Sequence, residues 1–129
     1  VEFENLIYPS SEHAYMAAKT TDLNIRKQIL GCVTSGEAKK LGRSIQLREN
    51  WDDIRLHYMR IILENKFAVG TELYSKLIST RPFHLIEGNH WGDRFWGESP
   101  IGNGKNNLGK ILMSIRDDIT NNLGVNNFE

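Results

Sequence analysis

The chain has one cysteine, Cys32, among 129 residues, which excludes an internal disulfide. No group of cysteines and histidines has the spacing of a zinc site, and both absences fit a reducing compartment, with the cytoplasm as the expected location. No apolar run approaches the roughly 20 residues that a membrane-spanning helix needs, so no membrane partner is expected. Nor do charged, apolar and small-residue regions line up as a signal peptide. An excess of one charge is lacking too. Sixteen Lys and Arg balance sixteen Asp and Glu, so nothing global draws the protein onto nucleic acid or an anionic membrane, and any polyanion must be held locally. Internal repeats, low-complexity tracts and Ser/Gly-rich linkers are missing. What is present, 40% hydrophobic and 25% charged residues, suits one globular domain over 1–129 with a modest core. The chain starts at Val1 and not at Met, from which loss of some native N-terminal sequence is expected.

Most periodic segments read as helices. Pro9 stops the preceding segment, and the Ser10 and Ser11 hydroxyls can accept from an unpaired N–H at a helix start, so the first helix is predicted to begin near Ser11. Thr21 or Asp22 can cap a second helix ending about Gly31, and Ser35 a third that stops near Gly42. Beyond Trp51, the residues Ile54, Tyr58, Ile61 and Ile62 recur at helical spacing, widened by Met59, Leu63 and Phe67 into a face fit for burial. Thr71 opens another helix, which Pro82 ends by disfavouring helical geometry at Arg81. Leu108, Ile111, Leu112, Ile115 and Ile119 define an amphipathic C-terminal helix predicted to end around Gly124. Short strands are expected only at VEFENLIY and at HLIEG, residues 84–88. The predicted class is therefore α+β, mostly helical, with a small β-sheet.

Charge falls in an unusual place in YPSSEHAYMAAK, residues 8–19. On a helix, Glu12 and Lys19 project from one face, in a stripe with Tyr15 and Met16. Their α-carbons are about 10 Å apart along the axis, whereas helical ion pairs form at three- or four-residue spacing. They are poorly placed to neutralise each other. The other side carries Ala14, Ala17 and Ala18, which allow close approach of neighbouring elements. Burying an unpaired charge is costly, so the two charges either reach solvent or line a polar pocket with a ligand between them. Periodicity alone favours solvent.

The segment from Gly88 to Asn107 has no helical or strand period, and loops of roughly 15 residues or more inside compact domains tend to be functional. It contains Trp91 and Trp96 beside Asp93 and Arg94. Such a set suits stacking on a planar ring, and equally suits tryptophans that plug a core. GNGKNN ahead of the last helix can present N–H groups to a phosphate but lacks Walker spacing. Arg43 and Arg48 near Trp51 suit phosphate binding or a solvated cluster. His57 and His84 read as structural, and no catalytic triad follows from spacing.

The ordered set YPSSEHAYMAAK, EAKKLGR, RENWDDIRLHYM, LIEGNHWGDRFWG and GKNNLGKILMSIRDDI, spanning nearly the whole chain, resembles the NADAR (YbiA-like) family. The resemblance implies a compact, mostly helical α+β domain with a polar cleft that cleaves ribosyl N-glycosidic bonds. Its implied substrates are phosphoribosylated intermediates of riboflavin synthesis, or ADP-ribose attached to guanine bases, including those of ADP-ribosylated nucleic acid. Residue by residue, the family's acidic group falls on Glu12 and its lysine on Lys19. The later aspartate and tryptophan fall on Asp93 and Trp96, the mid-chain tryptophan on Trp51, and the asparagine on Asn106. The implied chemistry has Lys19 attack the anomeric carbon or its opened aldehyde to form a Schiff base, with Glu12 moving protons. Asp93 would hold ribose hydroxyls or stabilise an oxocarbenium-like centre, and Trp51 and Trp96 would stack on the base. His13, Arg43, Lys105 and Asn106 complete the expected substrate contacts. No cofactor or metal is required. Members usually carry an upstream (L/F)SNF segment that this sequence does not show. The alternatives are a non-catalytic module that binds ADP-ribose or a nucleotide, and a helical interaction domain anchored by Trp51, Trp91 and Trp96.

Overall fold

A computed structural model describes residues 1–89 and 91–128, with side chains through Asp118. Among the described residues, the regular structure is six helices and one two-stranded antiparallel sheet, the mostly helical α+β class that the sequence pattern indicates. The chain divides into two compact units, one from Val1 to Lys66 and the other from Phe67 onward.

The first unit opens with β1 (Glu2–Phe3) and β2 (Leu6–Ile7), paired with Glu2 opposite Ile7 and Phe3 opposite Leu6. VEFENLIY thus forms a hairpin, not the single strand expected. The reason lies in Glu4 and Asn5, whose φ values of 44° and 71° supply the left-handed pair that a tight two-residue hairpin turn needs. Then come α1 (Ser11–Ala18), α2 (Leu23–Leu30), α3 (Ser35–Gly42) and α4 (Trp51–Lys66). Ser10 caps α1 by accepting from His13 N, Asp22 caps α2 through Asn24 N and Ile25 N, and Thr34 caps α3 through Glu37 N. That last cap lies one residue before the expected Ser35. Ala14, Ala17 and Ala18 are fully buried, so α1 is enclosed by α2, α3 and α4, and the stripe of α4 buries Trp51, Met59, Ile62 and Leu63.

In the second unit, α5 (Glu72–Ser79) is capped by Thr71 and buries Leu77, and α6 spans Asn107–Phe128. The last helix therefore continues past Gly124. Ile115 is buried and Leu108, Ile111 and Leu112 are half-buried, while the Ile119 side chain lies outside the described residues. Arg116 of α6 donates Nη1 to Thr80 Oγ1 at 3.0 Å and to Phe83 O at 2.7 Å, holding the end of α5 against α6. HLIEG is not a strand. Only Gly88 pairs, in an isolated parallel bridge with Glu98. The donors a ladder would use go elsewhere: Leu85 N to Met113 Sδ at 3.4 Å and Glu87 N to Asn106 Oδ1 at 2.9 Å. Among the described residues, no helix is long and apolar enough to cross a membrane.

Candidate active site

Helix α1 carries two of the three expected catalytic groups, Glu12 and Lys19. Glu12 stands in its first turn, where partial positive charge at the helix start favours a carboxylate. Ser11 Oγ donates to Glu12 Oε2 at 3.4 Å and itself accepts from Lys66 Nζ at 3.1 Å, so the last residue of α4 is tied to the first turn of α1. Burial pushes the Glu12 carboxyl up. Hydrogen bonds from its backbone N–H and from Ser10, with the charges of Lys66 and Lys39, outweigh burial and bring it below the ordinary value. The group therefore stays a carboxylate near neutral pH.

Lys19 is the C-cap of α1, half-buried, with Nζ 5.9 Å from the centre of the Tyr15 ring. Burial, and after it the Arg43 guanidinium, holds its ammonium below the ordinary lysine range. Arg43 is itself the C-cap of α3, carried to Lys19 by the close packing of α3 on α1. Tyr15 is backed by Trp51 at 5.4 Å between ring centres, and Trp51 by a stacked Tyr58 at 6.4 Å. The Arg48 guanidinium lies 5.0 Å from the Tyr58 ring centre. The site of this unit is thus a carboxylate and a partly desolvated amine on one helix, with cations from α3 and α4 around them.

His13, expected among the substrate contacts, is 1% exposed and has both ring nitrogens engaged. Nε2 faces Cys32 O at 3.0 Å, and because a carbonyl only accepts, Nε2 carries a proton; Nδ1 meets Ser10 Oγ at 2.6 Å. It staples the start of α1 to the segment after α2. Trp51 is likewise buried among Tyr15 and Tyr58, where it supports Tyr15. The stripe of Glu12, Tyr15 and Lys19 was legible from spacing. Lys39 and Lys66 carry no sequence signal, since only the fold brings them to Glu12.

The remaining expected residues belong to the second unit. Asp93 Oδ1 accepts from Phe95 N at 3.1 Å and Trp96 N at 2.9 Å, closing a turn. Buried Asn89 brackets that aspartate, accepting from Asp93 N at 3.0 Å and donating to Asp93 O at 2.8 Å. Trp96 is half-buried, edge-on to Phe95 at 4.8 Å, whereas Trp91 is exposed. Lys105 is exposed, with Nζ 5.9 Å from the Phe95 ring centre. Asn106 is buried, with Oδ1 accepting from Glu87 N and Nδ2 donating to Leu85 O at 2.8 Å. Its side chain is spent on the backbone of residues 85–87, and at φ 50° it stands immediately before α6, with its carbonyl accepting from Lys110 N at 3.0 Å.

The model of the NADAR domain matches residues 1–120. The chain belongs to the NADAR family. Among curated relatives of this NADAR domain, N-glycosidase YbiA of Escherichia coli is 34% identical over 121 residues, covering 92% of the chain and 75% of YbiA. A riboflavin biosynthesis protein of Vibrio vulnificus is 39% identical over 114 residues, 87% of the chain but 31% of that protein. The domain thus spans about a third of the Vibrio protein's length. A chloroplastic riboflavin biosynthesis protein of Zea mays is 30% identical over 124 residues, covering 87% of the chain and 20% of that protein. The NMR structure of Escherichia coli YbiA superposes with a TM-score of 0.83 at 33% identity, covering all of this chain and 75% of YbiA.

Proposed function

We propose that this NADAR domain is an N-glycosidase that hydrolyses the C1–N bond of a ribosyl compound, with Lys19 as the nucleophile and Glu12 as the base. The observation that carries the reading is the state of the two groups on α1: an amine displaced toward its neutral form by burial and Arg43, and a carboxylate kept ionised by hydrogen bonds and lysines.

In the proposed reaction, the neutral Lys19 amine forms a bond to the anomeric carbon as the C1–N bond breaks. The departing base takes the proton that the amine loses, through Glu12. The ribosyl-lysine opens to a Schiff base as O4′ takes a proton, water adds to C1 with Glu12 accepting its proton, and the C1–Nζ bond breaks as that proton passes to Nζ, returning Lys19 and an open-chain aldehyde that O4′ closes to the ribose hemiacetal. The names of the relatives favour a phosphoribosylated intermediate of riboflavin synthesis as the substrate, with ADP-ribosylated guanine as the second class.

The deciding experiment incubates the protein with each substrate class and follows released base chromatographically, with borohydride added to reduce any imine. Release from one class, and a reduced adduct at Lys19 by peptide mass spectrometry, are expected. Lys19→Ala should lose both. Release without an adduct, undiminished in Lys19→Ala, would remove Lys19 from the mechanism. Binding of ADP-ribose with no release from either class would make the domain a binding module.

A further inference from the structure

Two arginines outside the reacting pair converge on the end of α1. Arg26 of α2 is 6% exposed, and its Nε donates to Ala17 O at 3.2 Å and to Thr20 O at 2.9 Å, the carbonyls on either side of Lys19. Its Nη1 reaches Glu4 Oε2 at the hairpin tip at 3.0 Å, and its guanidinium lies 5.4 Å from the Phe3 ring centre. Arg48, in the segment before α4, donates its backbone N–H to Lys19 O at 2.8 Å and Nη1 to Ala18 O at 3.4 Å. Four successive carbonyls, from residues 17 to 20, are therefore met from two sides.

The last carbonyls of a helix lack intrahelical partners, and a glycine in left-handed geometry commonly satisfies them. Here no glycine follows. Lys19 keeps right-handed geometry at φ −65° and ψ −16°; the guanidinium groups supply donors to Ala17 O, Ala18 O and Thr20 O, the Arg48 backbone N–H supplies that to Lys19 O, and both side chains bring positive charge to the negative end of the helix. The Arg48 guanidinium also rests on Tyr58, which backs Trp51, which backs Tyr15, whose ring lies under Lys19 Nζ. The backbone of Lys19 and the aromatic bed of its side chain are thus fixed by the same residue.

We infer that Arg26 and Arg48 are positioning residues that clamp the C-terminal carbonyls of α1 and so hold the Lys19 amine in its half-buried place over Tyr15. The inference rests on the proposed role of Lys19, but the clamp has its own consequence, the reactivity of that amine in the absence of any substrate. The ionisable groups that face Lys19 are Tyr15 from α1, Arg43 from α3, and the two arginines of the clamp. Loosening the clamp lets the amine swing into water, where it spends more of its time protonated.

The test is trace acetylation of the intact chain with acetic anhydride across a pH series, with each lysine read by peptide mass spectrometry. In Arg26→Gln and Arg48→Gln, labelling of Lys19 at neutral pH is expected to fall about fivefold, the population change that accompanies loss of one ordinary hydrogen bond. Its pH profile should move up, while those of Lys39 and Lys110 stay in place. Arg26→Lys, which keeps charge but not the forked donors, should restore part of the labelling. Arg48 is only half-buried, and Arg48→Gln keeps the backbone N–H to Lys19 O while removing Nη1 from Ala18 O and the guanidinium from Tyr58, so it decides the side-chain part of the clamp should the Arg26 variants fail to fold. A folded Arg48→Gln variant with an unaltered Lys19 profile and only a lower melting temperature would reduce the clamp to a structural cap. That result would leave base release, and with it the glycosidase reading, untouched; a wild-type chain that releases no base, with the Lys19 profile displaced as expected in the arginine variants, would count against the glycosidase reading alone.

Discussion

Gly42 of α3 and Met16 of α1 approach so closely that no side chain fits between them. A Cβ at Gly42 would stand 2.9 Å from Met16 Cγ and overlap Sδ. The last turn of α3 can lie on α1 only because that Cβ is missing, and the next residue, Arg43, is the one whose charge acts on Lys19. The LGR motif thus has a packing half and an electrostatic half.

Gly42→Ala tests the packing half. In an ordinary helix this change would stabilise by about 1 kcal/mol. Overpacking costs about 1–3 kcal/mol, and the overlap reaches the inner atoms of Met16, which cannot swing aside freely. A net loss on the order of 1 kcal/mol is expected in urea unfolding. Met16→Ala in the same chain should recover part of it, because the remaining Cβ lies at 3.3 Å. A single variant more stable than the wild type would mean that α3 stands off α1.

Glu12→Gln should lower the rate of base release by about 10²- to 10⁴-fold, the usual worth of a positioned base, while substrate affinity changes little. The same residue gives a signature in stability. Its folded carboxyl lies below the ordinary value despite burial. The contribution is fully present above the unfolded carboxyl pKa of about 4.3 and is lost as pH falls through the folded value. The difference in urea midpoint between wild type and Glu12→Gln should therefore shrink in acid. A difference that is constant from neutral pH down to the acid range would show that Glu12 titrates as an ordinary surface residue.

Part of the layout around α1 was open to reading from the sequence, for definite reasons, although periodicity alone favoured solvent for Glu12 and Lys19. Helical spacing alone put Glu12, Tyr15 and Lys19 on one stripe, and the caps at Ser10, Asp22 and Thr71 follow from side-chain oxygens before periodic segments. What periodicity could not reveal is contact between distant elements. Lys66 reaches Ser11 across 55 positions, and Arg48 reaches Ala18 across 30. Strand pairing failed for a different reason: at HLIEG, side-chain acceptors from Asn106 and Met113 took the amide donors, a competition that alternation does not encode. The resemblance counts His13 among the substrate contacts; that its ring also ties α1 to Cys32 O is visible only in the fold.

Asn106→Ala separates holding the loop from touching a ligand. The change leaves Glu87 N and Leu85 O without their partners and removes the residue type that tolerates φ 50°. Each unmet buried group costs about 1–3 kcal/mol, so a loss of about 2–4 kcal/mol is expected in urea unfolding. Asn106→Asp, which keeps the acceptor for Glu87 N, should lie between. A variant within about 0.5 kcal/mol of wild type, the range of ordinary surface substitutions, would show that Asn106 does not hold the loop and would favour a role as a ligand contact.

Arg43→Gln tests how Lys19 is kept reactive. Burial first, and Arg43 second, lower the Lys19 value in the folded protein. If the neutral amine is the nucleophile, kcat near neutral pH follows its fraction and rises with pH through the folded value. Removing Arg43 moves that value back up, so kcat should drop at neutral pH and recover as pH is raised. A role in holding phosphate would instead raise KM and leave the pH profile of kcat where it was. Stability reports the same shift with a fixed sign. Between the lowered folded value and the ordinary value of about 10.4, the unfolded chain binds more protons at Lys19 than the folded one, so stability rises with pH through that window. Below the window both states are protonated and the half-buried ammonium is a constant cost. Lys19→Met should therefore be more stable than wild type at neutral pH and should lose the alkaline rise, and a Lys19→Met chain whose stability follows the wild-type curve at every pH would show that the amine is fully solvated.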